Sequence, residues 1–147
     1  MHKKLLAVGM LLCTSCGQAG PVQEQKDEKE EVALDYSITS SDQIKWNEVF
    51  TQGEARYLVY FYSNYCGYCR SIKEEVLNYY LLNKDKIYFV DSIEQKAVYN
   101  FPAEKTMGVK NIDDFYIVGT PTLVEITNWM VTNLYVGADN IKLYIQQ

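Results

Sequence analysis

The sequence predicts an α/β domain, a central mixed sheet flanked by helices, preceded by an N-terminal signal and a flexible tether. Two observations carry this reading. The compact aromatic and β-branched runs Tyr57–Tyr62 and Ile87–Val90 read as buried strands, and an amphipathic stretch from Cys69 to about Leu82 lies between them. Such a β-α-β unit should be parallel and right-handed. Further on, Thr122–Ile126 and Met130–Val136 alternate around Thr127-Asn128-Trp129, which predicts a hairpin and so adds antiparallel strands. The length, 147 residues, suits one domain with a proper core once the ends are set aside.

The N-terminus reads as an export signal over residues 1–15. His2, Lys3 and Lys4 form a basic start, and Leu5–Leu12 is an apolar stretch far shorter than the ~20 residues of a membrane-spanning helix. An uncleaved anchor is the alternative. Cys13-Thr14-Ser15-Cys16-Gly17 resembles the lipobox of bacterial lipoproteins, which implies a lipid on Cys16, although Cys13 stands where that motif usually has leucine. Ordinary cleavage and secretion is the other outcome. Residues 16–35 are rich in Gln, Glu and Lys and lack aromatics before the domain, so they cannot bury enough apolar area to order themselves. As a tether they would span about 25 Å, unless Glu28–Leu34 forms a helix.

The folded domain is expected over residues 36–147. Ser40 and Gln43 fit a capping box for a short helix that buries Trp46, Val49 and Phe50 and stops at Gly53. After the first strand, Ile72, Val76, Tyr79 and Tyr80 recur at helical spacing and define the apolar face of the next helix. Residues 92–116 are expected to hold helices around Glu94–Tyr99 and Ile112–Tyr116, separated by Pro102 and Gly108. Gly137 precedes a last short helix with Ile141, Tyr144 and Ile145 facing inward. The many tyrosines read as core and strand residues. Trp129, at the hairpin tip, packs on a neighbouring element or meets a partner.

Charge and cysteines narrow the chemistry. The formal net charge is −5, and loss of Lys3 and Lys4 with the signal takes it to about −7, which argues against nucleic acid as partner. Beyond the signal only Cys66 and Cys69 remain as thiols, so this is no disulfide-stapled scaffold. The single histidine is His2, so a zinc site of about four ligands would need carboxylates or a second chain.

Cys66-Gly67-Tyr68-Cys69 is the motif that carries chemistry. Two thiols around a dipeptide can close a disulfide ring and reopen it by exchange. At a helix start, unpaired N–H groups and the positive dipole end favour the thiolate of the first cysteine. Cys66 is therefore the expected nucleophile and Cys69 the resolving thiol. Arg70 either favours the thiolate as well or lies on the exposed helix face.

From about residue 40 to 147 the chain resembles the thioredoxin family, through YFYSNYCGYCRSIKEEV, VGTPTLVEI and LYVGADNIKLYI. The resemblance implies a thioredoxin fold with Cys66 and Cys69 as the redox pair. It implies a cis peptide before Pro121, Thr120 offering its backbone to an extended substrate, and Gly67 and Tyr68 beside that substrate. A trans proline opening an edge strand is the alternative without the upstream cysteines. Tyr65 stands where thioredoxin has tryptophan, Tyr60 stands where it has a buried aspartate, and the middle is about fifteen residues longer. These departures point away from a cytoplasmic reductase. The CGYC dipeptide is similar to that of periplasmic disulfide isomerases. The signal and acidic tether are similar to thioredoxin-like lipoproteins and bacteriocin-transport accessory proteins of Gram-positive bacteria.

The function expected is that of an extracytoplasmic, lipid-anchored, monomeric thiol–disulfide oxidoreductase. Its partners would be thiols and disulfides of exported proteins and a membrane redox partner. No cofactor is required, because the cysteine pair holds the electrons. The rivals are a non-catalytic accessory or chaperone-like lipoprotein that binds extended peptides in the same groove, and a copper module with two thiolate ligands and no histidine.

Overall fold

A computed structural model describes residues 33–93 and 103–147, within a compact unit that spans Val32–Gln147. The signal, Cys16, most of the tether and the helix expected around Glu94–Tyr99 lie outside the described residues.

Four strands form one mixed sheet in the order β2-β1-β3-β4: β1 (Arg56–Tyr62), β2 (Ile87–Asp91), β3 (Thr122–Thr127) and β4 (Met130–Val136). β1 pairs parallel with β2 in the register Leu58↔Ile87 and antiparallel with β3 in the register Phe61↔Thr122. β3 and β4 form the expected hairpin, with a register shift at Glu125/Ile126. Its tip is two residues, Asn128 and Trp129, both at positive φ (48° and 58°), as tight hairpin turns demand. Trp129 remains half exposed there.

Every residue of β1 after Arg56 is buried, because both faces of the strand are covered. The strand alternation divides the core. Leu58, Tyr60 and Tyr62 join one apolar cluster with Cys69, Ile72, Val76 and Leu77. Tyr57, Val59 and Phe61 join another with Phe115, Ile117, Val124 and Ile126 on the opposite face. Leu58 is fully buried, so Leu58→Ala would cost about 2–5 kcal/mol, a large share of the ~5–15 kcal/mol of a typical domain.

Several local expectations need correction. The helix expected from Cys69 to Leu82 is two helices, α1 (Gly67–Ser71) and α2 (Lys73–Leu81). The break is Ile72, at φ −120° and ψ 8°. Ile72 is fully buried, and this anchors the joint. Ser40 and Gln43 do not form a capping box. Residues Tyr36–Asp42 form a 3₁₀ helix whose N-cap is Asp35, and the Ser37 N–H donates to the Asp35 carboxylate at 3.0 Å. Gln43 instead donates to Thr39 Oγ1 and Tyr62 Oη. The segment with Trp46 is a single 3₁₀ turn, Trp46–Glu48, in which the Lys45 N–H is held by Glu48.

Ile112–Tyr116 is a turn and not a helix. Asn111 caps it by accepting from the Asp114 N–H, and Phe115 is buried. A 3₁₀ turn at Ala103–Thr106 precedes it. The last helix, α3 (Ala138–Ile145), begins after Gly137, whose φ of 84° suits glycine. Ile141 is fully buried, and Tyr144 and Ile145 pack against the Cys69-side cluster.

Polar contacts tie the helices to the sheet and to each other. Asp42, nearly buried, pairs with Lys86 and accepts from Tyr80 Oη at 2.7 Å. Lys142 on α3 lies 2.6 Å from Glu75 on α2. Gln43 bridges to Phe89 and so covers the outer edge of β2.

Candidate functional site

β1 delivers the chain to the sheet end at Tyr62, and Ser63 turns it into α1. The Ser63 carbonyl accepts the Cys66 N–H at 3.1 Å, and Ser63 Oγ accepts the Tyr65 N–H at 3.1 Å. Arg70 Nη1 donates to the Asn64 carbonyl at 3.2 Å, so its guanidinium is bound to this loop. Serine and asparagine directly after a strand are turn formers, and that was the available signal for Ser63, which sequence reasoning missed.

Cys66 is the N-cap of α1, with extended backbone and a sulfur that accepts the Cys69 N–H at 3.2 Å. One of the N–H groups left unpaired at a helix start is thereby turned onto the sulfur. Cys69, three residues on, is fully buried, whereas Cys66 is half-buried. Both are free thiols.

β3 begins at the same sheet end. The Thr120–Pro121 peptide is cis, and the Thr120 carbonyl oxygen lies 3.3 Å from Cys66 Sγ. Thr122 Oγ1 donates to the Gly119 carbonyl at 2.7 Å, and the Gly137 N–H donates to the Pro121 carbonyl at 2.9 Å. The thiols, Thr120, Pro121 and the start of α3 thus form one assembly. Gly67 and Tyr68 are exposed beside it, and Tyr65 and Tyr68 show 83% and 72% of their surface.

The two sulfurs have opposite electrostatic fates. Partial burial opposes ionisation of Cys66. Hydrogen bonds from the side chains of Cys69 and Thr120 and from the backbone at Cys69 and Tyr68 outweigh it, so its pKa lies below the ordinary thiol value. Burial pushes Cys69 up to about 12, reinforced by its hydrogen bond to Cys66. At neutral pH the thiolate therefore concentrates on the more accessible sulfur.

Behind Cys69 the strand presents Tyr60 where an acid was absent from the sequence. The Tyr60 and Tyr36 hydroxyls are buried beside each other, and neither meets another side-chain or backbone partner among the described residues. Tyr36 stacks on Tyr62 at 3.9 Å between ring centroids. Burial holds the Tyr60 phenol strongly protonated.

A cleft of about 420 Å³ adjoins the thiols and includes Tyr68, Thr120, Pro121 and the first turn of α3. Neither cysteine lines it, but Thr120, whose carbonyl is 3.3 Å from Cys66 Sγ, does, whereas a larger cleft of about 730 Å³ lies between Trp46 and Phe115 and has no residue of the thiol site. The smaller cleft is the one placed for chemistry on Cys66. Among the described residues, no group of three or more His, Cys, Asp or Glu side chains is arranged to hold a metal.

The fold and the paired thiols define a class, and comparison with known proteins agrees. A thioredoxin-like domain family matches residues 45–128, and the chain belongs to that family. No curated protein matches the chain in sequence. Among solved structures it is similar to thioredoxin from Trypanosoma brucei brucei, at 17% identity over 71% of this chain and 83% of that one, with a TM-score of 0.52. It is also similar to the reduced thioredoxin pre-protein of Schistosoma mansoni, at 18% identity over 71% and 91%, with a TM-score of 0.50. At such identities the likeness is one of fold. A thioredoxin-like fold with Cys66 and Cys69 side by side supports oxidoreductase activity.

Proposed function

We propose that this protein is a thiol–disulfide oxidoreductase that exchanges disulfides with exported proteins outside the cytoplasm. The observation that carries the reading is the division of labour between the sulfurs: Cys66 accessible and inclined to ionise, Cys69 buried and protonated, with the Thr120 backbone alongside.

In the reducing direction, the Cys66 thiolate attacks one sulfur of a substrate disulfide. The S–S bond breaks, a mixed disulfide forms, and the other substrate cysteine leaves as thiolate and takes a proton. Cys69 then loses its proton and attacks Cys66 Sγ. The Cys66–Cys69 disulfide forms, and the substrate departs with both thiols and two electrons. The oxidising direction is the reverse. The cysteine pair itself carries the electrons, so the reading calls on no cofactor.

Lipidation at Cys16, a membrane redox partner that resets the pair, and a monomeric state belong to the same proposal, motivated by the signal-like segment and the acidic tether. Mass spectrometry of the mature N-terminus tests the lipid, and an unmodified terminus removes it from the scheme.

The hydrogen bonds that favour the Cys66 thiolate stabilise the reduced form and so raise the reduction potential. We expect a value above the approximately −270 mV of thioredoxin. Reduction of insulin by the dithiol form, and equilibration in a glutathione buffer, test activity and potential. A protein that does not reduce insulin, yet binds extended peptides as well after Cys66→Ser as before, would favour a peptide-holding role in the same groove.

A further inference from the structure

The cleft beside Pro121 has an uneven charge. Two ionisable side chains of α3 line it, Asp139 and Lys142. The Lys142 ammonium is matched by Glu75, 2.6 Å away. Asp139 is exposed and makes no ion pair or side-chain hydrogen bond among the described residues. Arg70, the cation nearest Cys66 in sequence, is bound to the Asn64 carbonyl and does not line the cleft. The uncompensated charge in the cleft is therefore the Asp139 carboxylate. Tyr68 shares the cleft and leaves 72% of its surface open, so its ring can receive a cation as well.

We infer that this cleft selects substrates with a lysine or arginine close to the reactive cysteine, held by Asp139 and Tyr68 while the cysteine meets Cys66. The inference rests on the thiol–disulfide reading and deepens it by naming the substrate class. A carboxylate and an aromatic ring in one cleft offer a cationic side chain two favourable contacts. They offer a glutamate repulsion from Asp139. The apolar remainder, Pro121 and Val136, suits the methylene stem of such a side chain. Asp139 also stands in the first turn of α3, where a carboxylate complements the helix dipole. That role needs no ligand and predicts no preference among substrates, so the two are separable.

The test uses the reduced full-length protein and three disulfide-linked peptides that differ only in the residue beside the cysteine: lysine, leucine or glutamate. At low salt the lysine peptide should exchange about fivefold faster than the glutamate peptide, the scale of one exposed ion pair with an aromatic contact. The ratio should shrink at 1 M salt. Asp139→Asn should reduce it to the smaller preference that the Tyr68 ring alone supports, and Asp139→Lys should invert it. An unchanged ratio in Asp139→Asn, or no preference in the parent protein, overturns the inference.

A second arm removes the chemistry. Cys66→Ser protein is titrated with the same peptides carrying serine for cysteine, and the amide NMR signals of Tyr68 and Asp139 are followed. Stronger shifts with the lysine peptide support the charge selection, and equal shifts with all three overturn it. Should no peptide exchange at all in the first arm, the oxidoreductase reading fails, while this titration still decides the charge preference.

Discussion

Cys66 Sγ lies 3.3 Å from the carbonyl oxygen of Thr120, 54 residues later in the chain. The sheet register produces this meeting. β1 ends where antiparallel β3 begins, with Phe61 opposite Thr122, so the segment after β1 and the segment before β3 share one end of the sheet. An extended substrate beside Thr120 is thereby beside the nucleophile.

Cys69→Ser should accumulate mixed disulfides through Cys66, because attack by Cys66 proceeds and the resolving thiol is missing. Cys66→Ser should trap none, since the remaining sulfur is fully buried. Reductant-sensitive adducts on non-reducing gels provide the readout. Adducts in Cys66→Ser alone would reverse the assignment of roles.

Alkylation of the reduced protein should follow the Cys66 thiolate. Its pKa is lowered, so the thiolate fraction falls only as pH drops through that lowered value, and the midpoint of the rate profile should lie below that of the same cysteine in an unstructured peptide. Cys69, pushed up to about 12, should stay inert across the same range. Peptide mapping after iodoacetamide treatment at several pH values separates the two. A midpoint at or above that of the unstructured peptide would contradict the hydrogen-bond argument.

Tyr60→Phe should leave stability within about 1 kcal/mol of the parent, since the buried hydroxyl it removes has only the neighbouring Tyr36 hydroxyl to offset its desolvation and the ring is kept. Urea denaturation of the reduced parent and variant measures it. A loss well beyond that would mean that this hydroxyl holds a strong hydrogen bond in solution.

Acid should weaken the fold through Asp42. Burial alone would raise its pKa, but hydrogen bonds from Lys86 and Tyr80 dominate and lower it. Its folded pKa is below the unfolded value near 3.9, so its contribution is present above that value and is lost as pH falls through the folded one. Lys86 is about one third exposed, so Asp42→Ala should cost only about 1–2 kcal/mol at pH 7. The difference from the parent should shrink towards pH 2. A difference independent of pH would assign the loss to packing.

Much of this site was legible because its signals are local. The C-x-x-C before an amphipathic run, the proline that opens β3 and the glycine that starts α3 each impose a backbone constraint visible in a few residues. The break at Ile72 was not, because Ile72 points into the core in either reading and the apolar spacing runs through it. Ile112 and Phe115 have helical spacing too, yet one turn capped by Asn111 satisfies it. Asp139 left no mark in the pattern. A single carboxylate gains its significance only when folding pairs Lys142 with Glu75 and leaves it unmatched.

The sheet is also a partition. Cys69 belongs to the apolar cluster of Leu58, Tyr60 and Ile72, whereas Val59, Phe61, Val124 and Ile126 belong to the cluster on the other side. Sequence drift on that far side trades only durability. Drift on the near side reaches the proton on the buried thiol. A lineage can therefore adapt this molecule to a harsher surrounding without retuning its reactivity, as long as the changes stay behind the sheet.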